Sequence, residues 1–423
     1  MLQSWEGVAE EWCPIGSQAV RSLSAHYSSL PHEHRRDLMG TSPTNPPAGE
    51  KGQSLFAQSA LAGEKGLSLF AQLGPDEGGE AARGRLTLGI ESSCDETACA
   101  VVRGEWEVLS NLVHSQVALH APFGGVVPEV AGRSHMEKIL PLMEQALAEA
   151  GIEASDLDAV AVTHRPGLIG CLLVGLSVAK SLSLALRIPL IGVDHLQAHV
   201  HAAFMTEPDL PLPLLALVAS GGHTALYEVR EPGRAHKLGS TRDDAAGEAL
   251  DKASAMLGLG YPGGPALEIA ARDGQTDRPR FKRSLLGKDS LDFSFSGQKT
   301  ALLYHLRGPG LQRPFPELDR SEVADLAASF QEAVMETLVK KMARAARAID
   351  AQSISIGGGV ARNLRLRELL DQEPALARLP RIFPPLDLCS DNGAMIASLG
   401  AHLIAQGQSD DLGLEAFARS LAP

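Results

Sequence analysis

Two strand–loop–strand units and a set of short apolar strands alternating with amphipathic helices predict an α/β protein of two similar lobes with mixed sheets. The first unit, LTLGIESSCDETACAVV at 86–102, is an apolar run, a polar turn carrying Ser92, Ser93, Asp95 and Glu96, and a second apolar run. The same grammar recurs at 214–229 in LLALVASGGHTALYEV, with Ser220, Gly221, Gly222, His223 and Thr224 in the turn. Apolar runs bounded by turn residues read as strands, and two such units about one domain apart read as a duplicated architecture. Helical periodicity marks HMEKILPLMEQALAEAG, AKSLSLAL and ADLAASFQEAVMETLVKKMARAARAI, whereas DAVAVT at 158–163, PLIGVD at 189–194 and ISIGGG at 354–359 read as strands.

The ordered pattern starts abruptly. Residues 1–84 are rich in Ser, Gly and Pro, lack a sustained hydrophobic period, and hold a near-duplicate, GEKGQSLFAQ at 49–58 and GEKGLSLFAQ at 63–72. Two short Gly-interrupted copies cannot stack into a repeat array, so this stretch reads as a disordered low-complexity extension or a mis-assigned start. The rest is long enough for two cores, with 44% apolar and 21% charged residues overall. A formal charge of −13 and 4% aromatic residues argue against a surface that grips phosphate along its whole length. Nucleic-acid contact is then local or shared with a partner. Five scattered cysteines without a CxxC pair fit a reducing compartment and exclude a thiolate zinc ribbon, which places the chain in the cytoplasm. The most apolar stretch, 167–179, meets Lys180 before the roughly 20 residues a membrane span needs, so no membrane partner is expected.

Three turns invite chemistry. Small residues let backbone N–H groups approach phosphate or carboxylate oxygens, as in Ser220-Gly221-Gly222 and in the strand that ends in Gly357-Gly358-Gly359 ahead of Val360, Arg362 and Asn363. Asp95 and Glu96 are the acids positioned to reach into a cleft between lobes, with a solvated turn as the alternative. In PLIGVDHLQAHVHAAF at 189–204, Asp194 reads as the N-cap of a helix that places His195 and His199 one turn apart on one face, with His201 pointing elsewhere. That spacing suits a metal, although a pair of surface histidines fits it as well. A metallopeptidase needs a Glu directly after the first His, and Leu196 stands there. Asp391, just before a small-residue helix in DLCSDNGAMIASLGAHLIA, is either a third ligand or an ordinary helix cap. Two polar loops, 243–264 with Asp251 and Gly264, and 292–300, name no reaction by themselves.

Taken together, GIESSCDET, HSQVALHAPFGGVVPEVAGRSH, VDHLQAH, SGGHT, DDAAGEALDKASAMLGLGYPGGP, LDFSFSGQKT, GGGVARNLRLR and CSDNGAMIA closely resemble, in order, the TsaD (Gcp, Kae) family of tRNA threonylcarbamoyladenosine synthesis. The resemblance covers nearly everything from Leu86 to the last helix. It implies the actin-like, sugar-kinase-like (ASKHA) fold: a first lobe at 85–212 and a second at 213–423 whose C-terminal helix packs back toward the first. It implies transfer of threonylcarbamoyl from threonylcarbamoyl-AMP to N6 of adenosine 37 in tRNAs reading codons that begin with A. Carried onto this chain, the metal ligands are His195, His199 and Asp391, holding one divalent ion, iron first, zinc or magnesium otherwise. Val218, Ala219, Ser220, Gly221, Gly222, Asp251, Gly264 and Asn363 bind the acyl-adenylate, and Asp95 and Glu96 are catalytic candidates. The implied partners are tRNA, a TsaB-like paralogue, a TsaE-like ATPase and a separate synthase that supplies threonylcarbamoyl-AMP.

Two positions depart from the family pattern: Arg165-Pro166-Gly167 stands where Gly-Pro-Gly is usual, and Gln298 stands where Leu is common. Arg165 is read as either contacting tRNA or facing solvent. Two basic clusters, Arg272, Arg278, Arg280, Lys282 and Arg283, and Arg362, Arg365 and Arg367, are read as tRNA contacts or as solvated surface. The competing functions are a metallopeptidase of the O-sialoglycoprotein endopeptidase type, disfavoured by Leu196, and an ATP-binding scaffold paralogue, which has no need of a metal triad.

Overall fold

The computed structural model describes residues 84–287 and 289–420. The expected disorder of 1–84 concerns a segment that, Gly84 apart, lies outside these described residues. The first sheet comprises β1 (Leu86–Glu91), β2 (Glu96–Arg103), β3 (Glu107–Ser115), β4 (Ala159–Arg165) and β5 (Leu190–Asp194), in the order β3-β2-β1-β4-β5. The second comprises β6 (Leu214–Ala219), β7 (Thr224–Glu231), β8 (Arg234–Ser240), β9 (Ser353–Gly357) and β10 (Arg381–Ile382), in the order β10-β9-β6-β7-β8. Each sheet is a three-stranded antiparallel meander continued by two parallel strands. The duplication read from two turns extends to whole sheets.

Nine helices of eight or more residues lie among the described residues: α1 (Pro128–Ala150), α2 (Ile169–Leu186), α3 (His195–Thr206), α4 (Ala246–Met256), α5 (Gly263–Ala271), α6 (Ser296–Arg307), α7 (Arg320–Ile349), α8 (Leu364–Gln372) and α9 (Gly393–Ala405). The long α7 starts at a capping box in which Asp319 accepts from the Glu322 N–H and Glu322 accepts from the Asp319 N–H. Its apolar face, including Phe330, Met335, Leu338 and Met342, closes the second core against Leu215, Leu217, Ile354 and Ile356.

The first sheet is covered on both faces, which explains why its central strands read as continuous apolar runs. On one face Ile139 and Met143 of α1 and Leu176 of α2 pack on Leu88, Ile90, Val101 and Val162. On the other, α9 sets Ala394, Met395 and Ala397 against Ala100, Val102, Ala159 and Ala161. The approach of α9 needs a bare backbone at Gly89, where a Cβ would lie 2.2 Å from the Gly393 carbonyl oxygen. α3 passes between the two cores. Its Ala198 and Ala202 join the α9 cluster, while Leu196, Val200 and Phe204 join Leu214, Ala216, Val218 and Tyr227 of the second sheet.

Three local expectations change. Glu96 is the first residue of β2 rather than a turn residue, and α2 begins ten residues before AKSLSLAL, at Ile169. The apolar stretch therefore does not stop at Lys180: α2 is long and apolar enough, by length and composition, to cross a membrane. Here it buries Cys171, Leu172, Gly175, Leu176 and Ala179 within the lobe. The third strands, β3 and β8, were not expected, because both are half exposed and carry mixed polar and apolar residues without strict alternation.

Candidate metal centre and cleft loops

The centre forms where α3 leaves β5 and where the chain enters α9. Asp194 caps α3, its Oδ1 accepting the Leu196 and Gln197 N–H groups at 3.0 and 3.2 Å. This fixes His195 at the first helical position and His199 one turn on, both buried. At the start of α9 the cap is Asn392, whose Oδ1 accepts the Met395 N–H at 2.9 Å. Asp391 is thus not the cap, and its carboxylate is free to face the histidines. Oδ1 of Asp391 lies 3.0 Å from His199 Nε2 and 3.5 Å from His195 Nε2. One ligand atom from each of the three side chains falls within 4.8 Å of the others, the only such group of three among the described residues.

A residue that the sequence reading passed over holds this centre. Glu91, the last residue of β1, is fully buried, and its Oε2 lies 2.9 Å from His195 Nδ1. The same carboxylate accepts from the Thr163 hydroxyl at 2.6 Å and from the Ser93 N–H at 2.5 Å. Burial alone would neutralise Glu91, but the charge and hydrogen bond of His195 outweigh it and hold the carboxyl below its usual range. An ionised carboxylate only accepts, so Nδ1 of His195 carries a proton toward Glu91, and Nε2 faces Asp391, where a bound cation would take its lone pair. Without a cation, burial opposes charging of His195, and Glu91 with Asp391 overcome it, pushing the imidazole up to about 10. Asp391 is held ionised against burial by His195 and His199. Two imidazoles, one carboxylate and a carboxylate behind the first imidazole are a donor set that fits a borderline divalent ion.

Two turns flank the centre. In the first, the backbone carbonyl of Asp95 accepts from the Gln116 N–H at 3.0 Å, and that of Cys94 accepts from His135 Nε2 at 3.0 Å. Glu96 accepts from the Ser115 hydroxyl, yet burial, Asp391 and Asp95 push its carboxyl up to about 9. In the second, the Ser220 hydroxyl accepts the His223 N–H at 3.1 Å, leaving Gly221 and Gly222 exposed with open space around them. Gly247 presses on this turn from below: a Cβ there would lie 2.5 Å from the Ser220 carbonyl oxygen. Val218 and Ala219 are core strand residues, so only their backbone is available to a ligand. His223 places its ring 6.0 Å from that of His195, and burial, then His195, depress it to about 4.

The remaining expected binding residues are partly occupied by the fold. Asp251 Oδ1 accepts the Gly263 and Gly264 N–H groups at 2.7 and 3.2 Å, which ties the start of α5 to α4. Asn363 is buried, its Oδ1 capping α8 through Leu366 and its Nδ2 donating to Gln331 at 2.9 Å. Tyr261, beside Gly264 in sequence and missed by the sequence reading, feels Asp95, Asp251 and Glu96 together; burial, then these charges, push it up to about 12. The two polar loops prove to be joined. Asp243 accepts from both the Ser294 and Ser296 hydroxyls, and Asp244 pairs with Lys252 and Lys299.

Arg165 is tethered on one side, its Nε lying 3.2 Å from Asp194 Oδ2, while its side chain stays partly exposed. Gln298 is buried and donates to the Ala333 carbonyl at 3.1 Å and toward Thr337. Of the basic clusters, Arg283 is paired with Glu336, Arg365 with Glu332 and Glu368, and Arg367 lies over Phe383. Arg272, Arg278, Arg280, Lys282 and Arg362 remain exposed.

A model of the family described as TsaD, tRNA N6-adenosine threonylcarbamoyltransferase, matches residues 107–398. The chain belongs to the TsaD family. A protein of that name from Syntrophus aciditrophicus is 47% identical over 334 residues, covering 79% of this chain and 97% of the relative. Another from Moorella thermoacetica is 54% identical over 312 residues, covering 73% of this chain and 89% of the relative. Among solved structures, T. kodakarensis HypF superposes with a TM-score of 0.53 at 16% identity, over 78% of this chain and 49% of that one, a likeness of fold alone. The TsaD-family chain has the two-lobed actin-like, sugar-kinase-like fold and is a transferase that forms threonylcarbamoyladenosine in tRNA. The metallopeptidase and scaffold alternatives fall with that assignment. The family implies a metal-dependent enzyme, and His195, His199 and Asp391 supply a place for the metal.

Proposed function

We propose that threonylcarbamoyl-AMP binds between the Ser92–Asp95 turn, with Glu96 at the start of β2, and the Ser220–Gly222 turn, and that its threonylcarbamoyl group passes to N6 of adenosine 37 in tRNAs reading codons that begin with A. The observation that carries this reading is the convergence of His195, His199 and Asp391 beside both turns. A divalent ion there, iron first, would polarise and orient the acyl group. The exposed Gly221 and Gly222, with open space where a side chain would stand, let the AMP phosphate approach the turn backbone, and Oδ2 of Asp251 suits a ribose hydroxyl. Asn363 would serve the nucleotide only if its internal hydrogen bonds shift. N6 attacks the carbamoyl carbon, the new C–N bond forms as the C–O bond to phosphate breaks, AMP leaves, and one amine proton must be taken up.

The electrostatics bear on that last task. Burial, Asp391 and Asp95 push Glu96 up, so of the two neighbouring carboxyls Asp95 is the one we assign to take up the amine proton. The exposed Arg272, Arg278, Arg280, Lys282 and Arg362 are the local cations for tRNA on an acidic chain. A TsaB-like paralogue, a TsaE-like ATPase and a separate synthase complete the system, in the cytoplasm. The decisive experiment combines purified protein, threonylcarbamoyl-AMP, unmodified tRNA and the two partner proteins, with nucleosides read by mass spectrometry. Threonylcarbamoyladenosine at position 37 in the wild type, lost in Asp95→Asn, is expected. A modified nucleoside at full rate in Asp95→Asn would remove Asp95 as acceptor, and no product at all would remove the reading.

A further inference from the structure

Asp194 divides its two carboxylate oxygens between different tasks. Oδ1 caps α3, and Oδ2 accepts from Arg165 Nε at 3.2 Å and from the Ser420 hydroxyl. Neither donor arrives by accident of a flexible side chain. The pairing of β4 with β5 shifts register between Thr163 and Arg165, so that Arg165 stands opposite Asp194. A bulge of this kind re-aims a side chain, and here it aims the guanidinium at the cap. Ser420 is delivered by the C-terminal tail, which runs along β5. The Asp410 N–H donates to the Leu190 carbonyl at 2.8 Å, the Gly192 N–H donates to Asp410 Oδ2 at 2.8 Å, and the Phe417 N–H donates to the His164 carbonyl at 2.9 Å. Leu414 fills the space above Gly192. Beside Arg165, Asp194 and Ser420 an open hollow of about 690 Å³ separates the tail from the β7–β8 hairpin.

We propose that Arg165 and the tail at 408–420 are positioning elements for the metal-bearing helix, acting through Oδ2 of Asp194 on the cap that places His195. The inference rests on the reading of His195, His199 and Asp391 as metal ligands. Asp194 is buried and belongs to the same acidic surroundings as Glu91 and Asp391. With Oδ2 unpaired, its carboxylate is free to turn away from the Leu196 and Gln197 N–H groups, and His195, the next residue, loses its fixed starting point. Arg165 supplies the one direct cation to this carboxylate among the described residues, and Ser420 a second donor from a tail already anchored along β5.

The test uses full-length protein carrying Arg165→Ala, Arg165→Lys or Ser420→Ala, a chain lacking residues 408–423, and Arg230→Ala as a neighbour that lines the same hollow. Hydrogen exchange of peptides spanning 194–200 is measured without metal, and zinc affinity is measured by titration calorimetry. Arg165→Ala and the shortened chain are expected to exchange the first turn of α3 about tenfold faster and to bind zinc about tenfold more weakly, with Arg165→Lys restoring most of both. Ser420→Ala gives a smaller shift in the same direction, and Arg230→Ala none. Unchanged exchange and unchanged zinc affinity in Arg165→Ala would overturn the inference. A wild type that binds no zinc would instead overturn the metal reading, while the exchange data would still decide the cap.

Discussion

The two lobes repeat one topology strand for strand but load it differently. After its first strand the first lobe places Ser92, Ser93, Cys94 and Asp95 between Glu91 and Glu96, whereas the second lobe places Ser220, Gly221, Gly222 and His223. One turn delivers carboxylates and the other delivers bare amide groups. After the fifth strand the lobes converge again. β5 runs straight into α3 with His195 and His199, and β10 leads by a short helical turn to Asp391 and α9. Each of these helices then packs on the sheet of the other lobe. A duplicated scaffold thus presents a single candidate site in which each lobe contributes part of the proposed metal-ligand set and the turns supply opposite electrostatics.

The largest expected departure comes from the carboxylate behind His195. Glu91→Gln keeps the shape but loses the charge that fixes the imidazole, and metal affinity should fall by about 10–100-fold in a chelator competition, with transfer recovering at saturating metal. Making the second turn resemble the first is next. Gly222→Asp puts a carboxylate where the phosphate is proposed to sit and should raise KM for threonylcarbamoyl-AMP by roughly tenfold with little change in metal content. An unchanged KM would break the contrast drawn between the two turns.

Much of this contrast was legible beforehand, for reasons that can be named. Turns rich in Ser, Gly and acids between apolar runs are strong local signals, and they gave the first two strands of each meander, while the half-exposed β3 and β8 left no such signal. The spacing of His195 and His199 was visible, but whether Asp391 was cap or ligand was not, since Asn392 beside it satisfies the same rule and wins the cap. Glu91 was hidden because it closes an apolar strand, where its partners Thr163 and His195 are 72 and 104 residues away. Arg165 was hidden because a register shift in β4, invisible to periodicity, decides where it points.

Smaller effects sharpen the account away from the centre. Reversing Arg280 and Lys282 to Glu should weaken tRNA binding and flatten its dependence on salt, by about 0.7–0.9 in logarithmic slope for each phosphate no longer neutralised. The same reversal at Arg365, which is already paired with Glu332, should instead cost stability. A separate effect, on stability rather than on transfer, concerns His201, on the face of α3 turned from His195 and His199, stacked on Trp106 at 5.3 Å and depressed to about 3 by burial and then His402. A depressed histidine contributes stability that is fully present above its unfolded value near 6.5 and is lost as pH falls toward 3. His201→Phe should remove that loss, worth about 2 kcal/mol between about pH 6.5 and 5 by denaturant unfolding.

The claim that one site is assembled from both lobes is tested most directly by metal content measured alongside tRNA modification in wild type, His199→Ala and Asp391→Ala. The account predicts one divalent ion per wild-type chain, and loss of both the ion and threonylcarbamoyladenosine whichever lobe gives up its ligand. An Asp391→Ala protein that keeps its ion and modifies tRNA at the wild-type rate would contradict it.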